Sequence, residues 1–74
     1  MGSAQYKFAG DGSTPHAAIK SLIASMEPYC SRIKYLELNS DMGNLHKIYF
    51  IYNDARYEEL ITLENTDKWY AYIH

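Results

Sequence analysis

One amphipathic segment limits most strongly what this chain can fold into. Four apolar residues recur at helical spacing and form a single stripe: Ile19, Leu22, Ile23 and Met26. Thr14 is placed to cap a helix that begins at Pro15, and Pro28 disfavours helical geometry in the residue before it. The pattern predicts a helix over residues 15–27. A helix of this length is marginal alone, so its stripe must pack against the rest of the chain.

The rest of the chain has the composition of short strands separated by turns. The strongest strand pattern is residues 47–52, in which every residue after Lys47 is β-branched or aromatic, on both faces, as in a central strand. The full set of predicted strands is residues 5–9, 31–39, 47–52, 59–64 and 69–73, with turns at 10–13, 39–44, 53–56 and 65–67.

Residues 55–65 allow two interpretations. Tyr57, Leu60 and Ile61 fit helical spacing, whereas Thr62 and the turn-forming residues 65–67 interrupt a helix. The strand interpretation is preferred on that ground. If the segment were helical, the assignment of Tyr57, Tyr70 and Tyr72 to sheet faces would change.

These elements predict an α+β fold with the order β-α-β-β-β-β. Short connections favour antiparallel neighbours, so we expect a single helix packed on a four- to five-stranded antiparallel sheet. The order resembles that of cystatin-type rolls in topology alone, and no cystatin inhibitory motif is visible. Residues 1–3 have the composition of an expression-tag remnant, and residues 4–74 are expected to form a single globular domain.

Charge and cysteine content exclude several classes. The net charge is −2 and no basic stripe is present, so nucleic-acid binding is not expected. Most acidic residues fall in 41–74, which would favour a basic protein partner. The single cysteine excludes an internal disulfide and a four-cysteine zinc site. No apolar run reaches the roughly 18 residues of a membrane span and no secretory signal is seen, so a cytoplasmic location is expected.

The sequence presents no catalytic constellation. Cys30, His16, His46 and His74 are far apart, with no metal-ligand spacing among them. The segment 10–14 lacks the spacing and the lysine of a phosphate loop, and ordinary turn chemistry explains it. We therefore expect a protein that is not an enzyme and holds no metal or cofactor.

Eight tyrosines are the most unusual feature of the composition. If the apolar positions of the strands face the helix, alternation places Tyr49, Tyr70 and Tyr72 on the opposite, open face. Tyr35 is a further candidate for that face, whereas Tyr6 and Tyr52 should lean towards the helix. Because tyrosine is enriched at protein interfaces, these four open-face candidates are the predicted partner-binding residues. The alternative is that they stabilise the sheet through cross-strand pairs.

Three functions fit these observations. The preferred one is a non-catalytic protein-binding module that acts by occluding a surface, as a stoichiometric inhibitor, an immunity protein or a phage anti-defence protein would. The second is a structural subunit that forms a homodimer through an unprotected edge strand. The third is a weak single-stranded nucleic-acid binder that stacks bases on tyrosines.

Overall fold

The computed structural model describes residues 7–74, and the predictions for residues 1–3, for Gln5 and for Tyr6 lie outside that range. Residues 7–74 form an α+β fold with one helix and six strands. In order they are β1 (Phe8–Gly12), α1 (Pro15–Met26), β2 (Cys30–Ser40), β3 (Gly43–Tyr52), β4 (Ala55–Leu60), β5 (Thr62–Asn65) and β6 (Trp69–Ile73).

The helix begins and ends close to where the sequence predicts. The Thr14 hydroxyl accepts a hydrogen bond from the backbone N–H of Ala17 at 3.0 Å, which satisfies one of the free donors of the first turn. Pro15 occupies the first helical position, and Glu27 closes the last turn by donating its backbone N–H to the Ile23 carbonyl.

The strands form two three-stranded antiparallel sheets, in the orders β1-β6-β5 and β2-β3-β4. The expectation of one sheet of four to five strands is therefore wrong in its detail. The difference arises at Ile61, where the extended segment 55–65 stops pairing with β3 and begins to pair with β6. Leu60 is the last residue paired with β3, the Ile61 N–H bonds to the His46 carbonyl at 2.8 Å, and Thr62 is the first residue paired with β6. The helical alternative for residues 55–65 is also wrong.

The core lies between the helix and one face of each sheet, here called the inner face. The fully or almost fully buried side chains come from α1, β3, the β4–β5 junction and β6: Ala18, Ile19, Leu22, Met26, Ile48, Phe50, Ile61, Ala71 and Ile73. The helical stripe is thus covered as predicted, with Ile23 partly buried beside it. The opposite face of each sheet, the outer face, points away from the helix.

Strand β1 extends further than its sequence suggests. Gly12 pairs with Trp69 at the end of the strand, inside the segment that was predicted to turn. A Cβ on Gly12 would lie 2.6 Å from the Cβ of Ala17, so the absence of a side chain lets helix and strand approach closely. Glycine serves packing at this position, and the turn is confined to Ser13 and Thr14.

The two β-hairpins of the β2-β3-β4 sheet have short turns. Asp41 and Met42 connect β2 to β3, so the loop predicted over 39–44 contracts to two residues. Asn53 and Asp54 connect β3 to β4 with φ values of 53° and 63°, the left-handed conformation that two-residue hairpin turns require.

Candidate functional site

The outer face of the β2-β3-β4 sheet is rich in apolar side chains. The strand register places Leu38 opposite Leu45, and Lys47 between Leu36 and Leu60. Tyr49 and Ile51, also on β3, lie further along the same face. We call this surface the leucine face and define it by six residues: Leu36, Leu38, Leu45, Tyr49, Ile51 and Leu60.

The leucine face is open to solvent and separate from the core. Leu38, Leu45 and Leu60 are 42%, 45% and 55% exposed. Leu36, Tyr49 and Ile51 are half-buried, yet none of the six belongs to the core or packs against it. Apolar side chains clustered on a sheet face that no other element of residues 7–74 covers are typical of an interaction surface.

An ion pair crosses the middle of the leucine face. Lys47 Nζ donates to Glu58 Oε2 at 2.7 Å, and this hydrogen bond is the main reason why the pKa of the Lys47 ammonium is raised. Lys47 also lies 6.0 Å from the centre of the Tyr49 ring. Glu58 is therefore paired with Lys47, and among residues 7–74 no other cation lies within ion-pair distance of it.

Tyr70 and Tyr72 lie on the outer face of the other sheet. Asp11 and Glu64 flank Tyr70 from the neighbouring strands. The Tyr70 hydroxyl donates to Asp67 Oδ1 at 3.0 Å, and this hydrogen bond is the main reason why the pKa of the tyrosine is raised. The pKa of Asp67 is lowered, first by the hydrogen bond from the Thr66 hydroxyl and then by the one from Tyr70. This surface is polar and carries more acidic than basic side chains, with Lys68 paired to Asp11 at 2.8 Å. We call Asp11, Glu64, Asp67, Tyr70 and Tyr72 the acidic face.

The predicted open-face tyrosines are therefore not brought together on one surface. Tyr49 is on the leucine face, whereas Tyr70 and Tyr72 line a separate depression with Ala9 and Glu64. All three are half-buried rather than fully exposed. All three point away from the core, as expected, because the residues that alternate with them in β3 and β6 form the core.

Tyr35 is on the inner face, so its predicted position on the open face is wrong. It pairs with the buried Ile48 and packs against the core. The sequence was ambiguous here because β2 has apolar residues of both parities: Ile33 and Tyr35 face inwards, whereas Leu36 and Leu38 face outwards. Tyr52 leans towards the helix, as predicted, and packs against the core.

The inward position of Tyr35 completes a polar cluster near the start of the helix. The Tyr35 hydroxyl lies 2.7 Å from His46 Nδ1, and Glu37 Oε1 lies 3.2 Å from His16 Nε2. Asn44 donates to the second oxygen of Glu37 at 2.9 Å. The hydrogen bond from His16 is the main cause of a lowered pKa for Glu37, and burial is the main cause of a raised pKa for Tyr35. The cluster ties α1 to the β2–β3 hairpin.

Cys30 does not have the environment of a nucleophile. Its thiol is half-buried opposite Tyr52, and burial raises the pKa of the thiol, which opposes formation of the reactive thiolate. Within residues 7–74 no three histidine, cysteine or acidic side chains are grouped so that they could hold a metal ion. In that same part of the chain, no helix has the length and apolar character needed to cross a membrane.

Comparison of the chain with protein-family models, with curated proteins and with solved structures found no significant match. The site is therefore interpreted from its own residues. Sequence reasoning missed Leu38, Leu45 and Leu60, which are the most exposed members of the leucine face. The sequence signal for this face was the apolar residue at every second position in parts of 36–38 and 45–51. That spacing identifies a shared face only once the hairpin register is known.

Proposed function

We propose that this protein is a non-catalytic protein-binding module that acts by occluding a surface of its target, as a stoichiometric inhibitor, an immunity protein or an anti-defence protein does. The single observation that supports this proposal best is the leucine face. Its exposed leucines lie on the side of the sheet opposite the core, where they contribute nothing to the packing around the helix.

The energetics favour a protein as the occupant of this face. Complete burial of one leucine side chain contributes about 1.5–3 kcal/mol. Three leucines that are each about half exposed therefore supply a substantial part of the free energy of a protein–protein contact. Tyr49 adds a rigid side chain with a hydroxyl that tolerates water at the edge of an interface.

A homodimer is the second candidate, and a different observation supports it. Strand β2 has 11 residues and stands at the edge of its sheet, with no strand on its outer side among residues 7–74. A long edge with free backbone donors and acceptors can pair with a second copy. Sedimentation velocity over a concentration series tests this: a species of 8.6 kDa at all concentrations rejects the homodimer, and one of about 17 kDa supports it.

The proposed function is tested by affinity capture from a lysate of the source organism, followed by mass spectrometry. The bait variant combines Leu38→Thr, Leu45→Thr and Leu60→Thr, which remove apolar area but keep residues that favour strands. The matched control is Ala24→Ser on the exposed side of the helix. We expect a protein that the wild type and the control retain at near-stoichiometric amounts and that the triple variant loses. Equal retention by all three baits, with unchanged circular dichroism, would reject the leucine face as the contact surface.

A further inference from the structure

We propose that the protein segment bound on the leucine face is acidic, and that Arg32 and Arg56 bind its carboxylates. This inference rests on the proposed function and specifies the chemistry of the partner. It starts from a cavity of about 530 Å³ at one end of the leucine face, which is lined by Arg32, Tyr49, Phe50, Ile51, Arg56 and Tyr57.

The strand register explains why two arginines meet there. Ile51 on β3 pairs with Ser31 on one side and with Arg56 on the other, so Arg56 is two strands away from Ser31. Two strand spacings amount to about 10 Å. Arg32 follows Ser31 in a register shift between Ser31 and Lys34, where β2 bulges. The two arginines thus border the same cavity from opposite strands, with Tyr49 and Ile51 between them.

Among residues 7–74, neither Arg32 nor Arg56 has a carboxylate within ion-pair distance. The acidic residue on this face, Glu58, is held by Lys47. Two positive groups that border one cavity without a carboxylate repel each other, and an anionic ligand between them would relieve that repulsion.

The conformation of Arg32 is unfavourable for a residue with a side chain. Its φ of 53° lies in the left-handed region, which glycine and asparagine adopt more readily. Bulges of this kind redirect a side chain and are common beside functional sites. Arginine therefore occupies a position where its backbone geometry is costly, and the bulge directs its guanidinium to the border of the cavity.

The chemistry fits a carboxylate-bearing protein segment better than a basic one. Guanidinium groups bind carboxylates through two parallel hydrogen bonds, and the adjacent leucines accept apolar side chains. The acidic residues of 41–74 that favoured a basic partner on sequence grounds do not line this cavity: Glu64 and Asp67 are on the acidic face, and Glu58 is paired with Lys47. An acidic segment with apolar side chains on one side matches the charge and the apolar character of this surface together.

The test measures fluorescence anisotropy with a fluorescein-labelled peptide of alternating glutamate and leucine. We expect Arg56→Gln and Arg32→Gly each to weaken binding roughly tenfold, as loss of a charge-assisted hydrogen bond does. Arg32→Gly also relieves the backbone conformation, so it should bind more weakly while its urea midpoint stays equal or rises. The control, Lys20→Gln on the exposed side of the helix, removes the same charge and should bind like the wild type.

Three results would overturn the inference. The first is that both arginine variants bind the acidic peptide as tightly as the wild type does. The second is that the wild type binds a matched peptide of lysine and leucine as tightly as the acidic peptide. The third is that the wild type binds single-stranded DNA or phosphatidylserine vesicles more tightly than the acidic peptide. Lysate capture separates this inference from the proposed function. Loss of the captured protein in the leucine variant but not in Arg32→Gly/Arg56→Gln would reject the acidic partner alone, whereas retention in both would reject the leucine face.

Discussion

Gly10 of β1 and Leu22 of α1 are in backbone contact. A Cβ placed on Gly10 would lie 2.1 Å from the backbone nitrogen of Leu22, far closer than non-bonded contacts of real Cβ atoms, so the backbone would have to move. Gly10 pairs with the buried Ala71 of β6, so this contact lies where helix and sheet meet. The small residue is required by the close approach of two backbones and not by a turn.

We predict that Gly10→Ala destabilises the protein by about 3 kcal/mol, because the methyl group forces helix and strand apart. Urea unfolding followed by circular dichroism measures the change. Ala9→Ser, the next residue in β1 and exposed on the outer face, is the control and should shift stability by less than about 0.5 kcal/mol. An unchanged urea midpoint for Gly10→Ala would contradict the close packing described for this contact.

Thr14→Ala is predicted to cost about 1 kcal/mol, because its hydroxyl accepts the hydrogen bond from the Ala17 N–H at the helix start. The adjacent Ser13→Ala is the matched control, since the Ser13 side chain makes no hydrogen bond among residues 7–74. Thermal or urea unfolding of the two variants compares them directly. Equal losses in both would show that the cap does not stabilise the helix.

Glu37 gives a prediction for the dependence of stability on pH. Its pKa is lowered in the folded protein, first by the hydrogen bond from His16, so the ionised form favours folding. That contribution is present above the pKa of the unfolded carboxyl and is lost as the pH falls through the folded value. The wild type should therefore exceed Glu37→Gln in stability at about pH 6, and the difference should shrink towards about pH 3.

The measurement is the urea midpoint of both proteins across that range. His16→Ala provides an independent check, because removal of the donor should raise the pKa of Glu37 followed by NMR. A difference between wild type and Glu37→Gln that does not change with pH would contradict the assignment, as would a Glu37 pKa that His16→Ala leaves unchanged.

The helix and most strands were predictable because their signals are local. Thr14 and Pro15 mark the helix start. In β3 and β6, the apolar residues Ile48, Phe50 and Ile73 show which set of alternate positions is buried. The division into two sheets was not predictable from such signals. The inward residues Tyr57, Ile61 and Leu63 keep the same parity across the junction. Alternation reports which face a residue occupies and not which strand it pairs with.

The candidate site depends on such partners and was therefore only partly predictable. The alternation of side chains along β3 was enough to predict that Tyr49 points away from the core. Prediction of the leucine face also requires knowing that Leu38 pairs with Leu45 and Leu60 with Lys47. The contact of His16 with Glu37 joins residues 21 positions apart, and Arg32 reaches the cavity through a bulge. These relationships arise from register and tertiary packing, which composition and periodicity do not encode.

Site-specific photo-crosslinking tests the central claim most directly. A benzophenone amino acid is placed at Leu45 on the leucine face or, as a control, at Ala24 on the exposed side of the helix, and each protein is irradiated in a lysate of the source organism. We predict one dominant crosslinked protein from position 45, competed away by unlabelled wild type and absent from position 24. Crosslinks that are equally diffuse from both positions, or specific to position 24, would contradict the claim that the leucine face is the binding surface.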